Sequence, residues 1–194
     1  MFAPITNDDV PAIVALMNRA YRGAGAMAGW NSEGDILAGD RTTEALLRAD
    51  LQAKPEAAFL KWIDAPGGEA SGCVWLEPLG DDVWYLGSLT TEPARQNGGL
   101  GRTMLAAAEE WLRGRGGRRI RMTVINVRET LIAWYLRRGY RLTGETEAFP
   151  YDDLRFGAPL RDDLVFIILA KDLDGAEATP SGSEDCHWNN GLPA

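Results

Sequence analysis

Gln96-Asn97-Gly98-Gly99-Leu100-Gly101-Arg102 stands between the apolar stretch 83–90 and an amphipathic run that opens at Leu100. Three glycines in four positions remove Cβ atoms from the main chain, so a ligand can approach it closely. The run that follows reads as a helix, and its first N–H groups and positive dipole end face the same point. That is a ready site for phosphate. The common nucleotide fingerprints do not fit. A Walker loop ends in Gly-Lys-Ser/Thr, and no Lys follows these glycines; a dinucleotide turn needs a third Gly where this chain has Met104. The stretch predicts a strand–turn–helix holding the phosphates of some other ligand.

Outward from this turn the chain alternates between helical and strand periodicity. Residues 2–5 read as a short strand, and Thr6 is placed to cap a helix whose apolar positions are Val10, Ile13, Val14, Leu16 and Met17. A glycine-rich loop follows, then a second helix near 43–53 carrying Leu46, Leu47 and Leu51. Strands are predicted at 57–63, 71–77 and 83–90, with turn chemistry at Pro66-Gly67-Gly68 and Gly80-Asp81-Asp82. The helix from Leu100 carries Met104, Leu105, Ala108, Trp111 and Leu112 on one face and stops at Gly114, Gly116 and Gly117. Ile120, Met122 and Val124 alternate with Arg119, Arg121 and Thr123 as a strand, and 129–138 is helical up to Gly139. Residues 140–143 and 164–170 complete the set, the second a continuous apolar run suited to burial on both faces. The order is β-α-α-β-β-β-α-β-α-β-β, an α/β domain over residues 1–172. Residues 173–194 read as an acidic, flexible tail, rich in Gly, Pro, Ser and Asn.

A chain of 194 residues suffices for one well-buried domain, and 45% hydrophobic with 25% charged residues is the balance of an ordinary globular protein. No run approaches the ~18 apolar residues of a membrane span, and the first residues lack the basic-then-apolar pattern of a secretory leader. With only Cys73 and Cys186, a disulfide framework is not expected, and the cytoplasm is the expected compartment. The net charge of −8 argues against a nucleic-acid partner. Five of the acids fall in 172–194, a stretch without Lys or Arg, so the rest is only mildly acidic and compatible with a cationic amine substrate. The one histidine, His187, lies in that stretch beside Cys186. Two ligands are too few for a structural zinc site, so no metal is expected, and a histidine triad in the body is excluded.

Gln96-x-x-Gly99-x-Gly101 resembles the pyrophosphate-binding signature of the GNAT N-acetyltransferases, Gln/Arg-x-x-Gly-x-Gly/Ala. The element order is also that of the family, and the resemblance covers roughly residues 2–172. It implies a mixed, twisted sheet with helices on both faces and acetyl-CoA as donor. Gln96, Asn97, Gly98, Gly99, Leu100, Gly101 and Arg102 would meet the pyrophosphate, with Arg95 beside them. The strand from Tyr85 to Thr91 would bulge and splay from its parallel neighbour, opening a slot for the pantetheine arm. A bulge leaves backbone groups unpaired in the sheet, where they can bond the arm. Leu89, Thr90 and Thr91 match that position, with the Leu89 N–H as oxyanion donor. Tyr135-Leu136-Arg137-Arg138-Gly139-Tyr140 is similar to the family's Tyr-x-x-x-Gly-Phe segment. That match makes Tyr135 the acid for the departing thiolate; a core aromatic is the alternative reading. Asn126 matches a residue that often contacts the arm, although it stands farther from Tyr135 than the family spacing.

The general base stays open. The position where relatives carry a carboxylate is Tyr85 here, which leaves Glu77, Asp82, Glu33 or a water relay. Trp30 and Glu33, in the loop between the first two helices, offer a cation–π wall and a charge partner for an amine. The long connection 147–162 offers Phe149, Tyr151 and Arg155 to an acceptor pocket shared with Tyr85. The implied reaction is direct attack by a primary amine of a small acceptor. A non-catalytic CoA-binding sensor is the alternative, and monomer or homodimer is left open.

Overall fold

The structure is a computed structural model that describes residues 1–22, 33–95, 98–153, 155 and 157–173. Its strands are β1 (Phe2–Pro4), β2 (Leu37–Ala38), β3 (Ala58–Trp62), β4 (Gly72–Gly80), β5 (Val83–Thr91), β6 (Arg119–Ile125), β7 (Arg141–Ala148), β8 (Ala158–Pro159) and β9 (Val165–Asp172). Its helices, among the described residues, are α1 (Val10–Arg22), α2 (Glu44–Ala53), α3 (Leu100–Arg113) and α4 (Glu129–Leu136).

Seven strands form one mixed sheet in the order β1-β3-β4-β5-β6-β9-β7, in which only β5 and β6 run parallel. Alternation along β4 divides the core in two. Val74 and Leu76 pack with Leu105 and Leu112 of α3 and Leu131 and Tyr135 of α4. Cys73, pointing the other way, packs with Ile13, Leu16 and Met17 of α1 and Leu47 of α2. Helices therefore cover both faces, and each such side chain contributes about 1.5–3 kcal/mol by leaving water. Thr43 starts α2 by accepting the Leu46 amide at 3.2 Å, and Thr6 and Asp9 cap each other's backbone ahead of α1.

Strand β7 is longer than its sequence suggests, running to Ala148 on the outer edge of the sheet. Its register against β9 slips between Leu142 and Thr146, around Gly144 at φ 84°. A break of this kind blunts an edge against pairing with another chain.

The loops around 33–41 and 149–164 are joined by the two-residue strands β2 and β8, Leu37 opposite Pro159 and Ala38 opposite Ala158. Gly157 makes this possible: it sits at φ 94°, and a Cβ there would lie 2.6 Å from the Ala38 carbonyl oxygen. Two-residue strands carry no periodicity, so sequence alone leaves the loops separate. Ile36, Leu37, Ile125, Phe149 and Leu164 form a small core beneath the ribbon.

The packed body also extends one residue past the expected boundary. Leu173 is buried; its N–H donates to the Arg118 carbonyl at 2.7 Å and its carbonyl accepts from Arg113 Nε at 3.0 Å. The rest of the expected tail, with Cys186 and His187, lies outside the described residues, and no helix among them is long and apolar enough to cross a membrane.

Candidate active site

Three register pairs join β5 to β6: Val83–Arg119, Trp84–Ile120 and Tyr85–Arg121. Beyond them β5 stays with β4 while β6 stays with β9, and the sheet opens as a V. Between Cys73–Thr90 and Trp75–Gly87 the register shifts, because β5 carries one residue more than β4 across that interval. This is a bulge. Ser88 within it takes φ 49°, a left-handed conformation that costs a non-glycine residue ~1–3 kcal/mol. Ser88 and Leu89 have no register partner on either neighbouring strand.

A cleft of about 470 Å³ fills the V. Leu86, Met122, Val124 and Tyr135 wall it on the α3/α4 face; Tyr21, Glu77, Tyr85 and Thr123 wall it on the α1/α2 face. Neighbouring strand residues point to opposite faces, so this one cleft passes through the sheet. At its vertex the Tyr85 hydroxyl meets Thr123 Oγ1 at 3.1 Å, tying the two diverging strands across the gap. The Tyr85 ring also lies against Gly87, where a Cβ would come within 2.7 Å of it. Burial raises the Tyr85 pKa, so the group in the family's carboxylate position is a neutral tie.

Tyr135 is buried, stacked edge-on between Trp134 at 4.9 Å and Tyr140 at 5.4 Å. Its hydroxyl has no hydrogen-bond partner among the described residues and borders the cleft. Burial first, and then the nearby Tyr21 hydroxyl, push its pKa up, which keeps the proton on the oxygen at neutral pH. Tyr21 reaches the Leu89 carbonyl at 3.5 Å, and Phe149 lines the same cleft from the 149–164 connection.

The start of α3 lies at the edge of this region. Gly99, at φ 84°, is the N-cap and offers no side chain, and Thr103 makes the first helical bond, to the Gly99 carbonyl. The Leu100, Gly101 and Arg102 amides precede that bond and have no backbone acceptor among the described residues. Around Gly101, a Cβ would sit 3.7 Å from Trp134 and 3.8 Å from Thr91. Arg138 stacks on Trp134 at 3.5 Å, and its Nε is a buried donor with no partner among the described residues. Burial, then the charges of Arg137 and Arg102, lower its pKa, the signature of cations crowded together. An anion of the pyrophosphate kind fits this cradle. Arg95 is engaged elsewhere, at 2.6 Å from Asp64. Gln96 and Asn97 lie outside the described residues, as does Trp30.

Other residues singled out in the sequence are held by partners within the chain. Glu33 lines the cleft but is only 7% exposed, with its carboxylate 2.7 Å from Arg22 and 2.8 Å from Arg128. Burial opposes its ionisation, yet the guanidinium charges of Arg128, Arg41 and Arg22 outweigh that and hold its carboxyl below the usual range. Asn126 bridges to β9 instead, donating to the Asp163 carbonyl at 3.0 Å and accepting the Val165 amide at 3.1 Å. Asp82 occupies the β4–β5 turn, where its carbonyl accepts the Arg118 and Arg119 amides, outside the lining of the cleft. Thr90 and Thr91 are buried, so only their backbone is offered to a ligand. Arg155 borders a neighbouring cavity, where it pairs with Asp50. Sequence reasoning missed Tyr21, Arg128 and Glu147 as lining residues; no spacing rule links them to the turn.

A family model described as "Acetyltransferase (GNAT) family" matches residues 15–140. No curated protein sequence matches the chain. Among solved structures, it resembles the ribosomal-protein-S18-alanine N-acetyltransferase from Escherichia coli, at 16% identity and TM-score 0.64, over 92% of this chain and 97% of that one. It also resembles the ribosomal-protein-alanine N-acetyltransferase from Brucella melitensis, at 20% identity and TM-score 0.61, over 89% and 99%. A third is a GNAT family acetyltransferase from Elizabethkingia anophelis with acetyl-CoA bound, at 16% identity and TM-score 0.55, over 64% and 82%. At these identities the likeness is one of fold.

The Glu33 clamp makes a prediction of its own. Glu33→Gln leaves two buried guanidiniums without their countercharge and should lower the unfolding free energy by about 3–5 kcal/mol in urea at neutral pH. Because the folded carboxyl titrates below its ordinary 4.5, the wild-type advantage is complete above that value and fades as pH falls through the folded pKa. A gap under about 1 kcal/mol, or one that persists in acid, contradicts this role.

Proposed function

The chain belongs to the GNAT family of acetyltransferases, and on that premise we propose that it moves the acetyl group of acetyl-CoA to a primary amine of a small molecule. The family match favours an acyltransferase enzyme over a binding module. Acetyl-CoA is the family's donor, and the cleft through the sheet is the observation that carries the reading. Uncapped amides at Leu100, Gly101 and Arg102, with Arg102, Arg137 and Arg138 close by, suit the pyrophosphate. The backbone amides of Ser88 and Leu89, which lie outside the strand register, suit an amide-bearing arm and a carbonyl oxygen that gains charge.

The residues then divide the proton traffic. The amine approaches from the α1/α2 face, where Glu77 lines the cleft and is steadied by Trp75 Nε1 at 3.2 Å and Lys54 at 2.7 Å. Glu77, directly or through water, takes the proton that the amine must lose. As the new C–N bond forms, the Leu89 N–H supports the carbonyl oxygen. As the C–S bond breaks, Tyr135 gives its proton to the thiolate. Cys73 takes no part: burial first pushes its thiol up to about 12, so it stays protonated.

Tyr135→Phe should lower kcat by ~10²–10⁴ where chemistry limits turnover, with acetyl-CoA affinity unchanged. An unchanged kcat removes Tyr135 as the acid. At Gly101 a Cβ would make only ordinary contacts, and a carboxylate in the first helical turn stabilises the helix by ~0.3–1 kcal/mol, so Gly101→Glu is the test variant. It should therefore keep or raise Tm while weakening acetyl-CoA binding at least tenfold by calorimetry. Unaltered binding would remove the pyrophosphate assignment.

A further inference from the structure

A second cavity, of about 330 Å³, opens off the cleft on the α1/α2 face. The two share Arg41, Glu77, Tyr85, Gly87 and Ser88, so they adjoin at the bulge. Its floor is apolar: Met17, Leu47 and Phe59 are buried there, with Leu46 and Trp75 half-buried beside them. Phe59 and Trp75 are in ring contact at 5.6 Å. Its rim is charged, with two acids, Asp50 and Glu77, against three cations, Arg41, Lys54 and Arg155. Asp50 pairs with Arg155, and Glu77 with Lys54, so each acid already faces a cation of this chain.

From this we infer that the acceptor is a primary amine carried on one compact apolar body, an aryl or branched alkyl group, and that the body lies in this second cavity. The inference rests on the transfer reaction proposed above and names its substrate class. An apolar floor next to the splayed bulge gains by covering itself with hydrocarbon, at a rate set by the area removed from water. A rim whose acids are matched holds no surplus negative charge for a polyamine or a polycationic sugar. The Asp50–Arg155 pair links α2 to the 149–164 connection across the rim and limits the length of what can enter. Glu77 stands where the two cavities meet, at the position an amine on such a body would reach.

The test is steady-state thiol release with acetyl-CoA and a series of primary amines: ethylamine, isopentylamine, 2-phenylethylamine, putrescine and spermidine. The expected order places 2-phenylethylamine and isopentylamine at least tenfold above ethylamine and both polyamines in kcat/KM. Leu46→Asp is the companion variant. It puts a carboxylate on the floor, yet it sits in the first turn of α2, where the Thr43 cap and the helix dipole tolerate an acid. It should raise KM for 2-phenylethylamine at least tenfold, leaving ethylamine turnover and acetyl-CoA affinity within twofold. A preference for polyamines, or a Leu46→Asp effect equal for all amines, overturns the apolar subsite and leaves the transfer reaction standing. Acetyl-CoA binding with no thiol release from any amine overturns the transfer reaction itself.

Discussion

Strands β5 and β6 share three residue pairs and then part, and that parting is the constraint on which the rest of the structure depends. A strand in the middle of a sheet normally has both edges paired; here two strands each expose a row of backbone groups to an interior cleft. Unpaired buried groups cost free energy, so the gap persists only where something else stabilises it. The Tyr85–Thr123 hydrogen bond closes the vertex, the Leu86, Met122 and Val124 side chains line one mouth, and the bulge at Ser88 turns β5 away. The product is a passage from one face of the sheet to the other. Donor and acceptor can then approach a single point from opposite faces, and neither needs to displace the other.

Around the passage, the acceptor side is held by long-range contacts. Glu33 receives Arg22 from the end of α1 and Arg128 from the start of α4, the helix that carries Tyr135. A buried carboxylate between two guanidiniums thus couples the substrate-side loop to the proposed acid. The β2–β8 ribbon links that loop in turn to the 149–164 connection, and Arg155 on that connection reaches Asp50 on α2. These contacts act as one frame, in which the charged groups face one another around the apolar floor of the second cavity.

The elements around the glycine turn were legible in the sequence, because they are local. The glycine turn, the amphipathic run from Leu100 and the alternation of 119–125 lie within a few residues of one another, and each has a backbone consequence that follows from residue type. The bulge was legible only through family resemblance, since Ser88 is not a residue that announces a left-handed φ. The acceptor side was not legible, because its chemistry is set by partners distant in the chain. Glu33 and Arg128 are 95 residues apart, and Arg155 and Asp50 are 105 apart. Asn126 shows the same limit: its position matched a cofactor contact, but its amide is engaged by β9, which no local pattern reveals. Charge alone made Glu33 look like a partner for substrate, when burial and two arginines make it part of the frame.

Hydrogen exchange of individual amides, with and without saturating acetyl-CoA, tests the through-sheet passage most directly. Leu89 has no register partner in the sheet, and Leu100, Gly101 and Arg102 have no helical acceptor, so these amides should exchange quickly in the free protein. The account predicts that saturating acetyl-CoA slows exchange at these four amides together, while the paired residues of the β2–β8 ribbon stay unchanged. Saturation that leaves Leu89 and the start of α3 exchanging as before, with protection elsewhere in the chain, would contradict it.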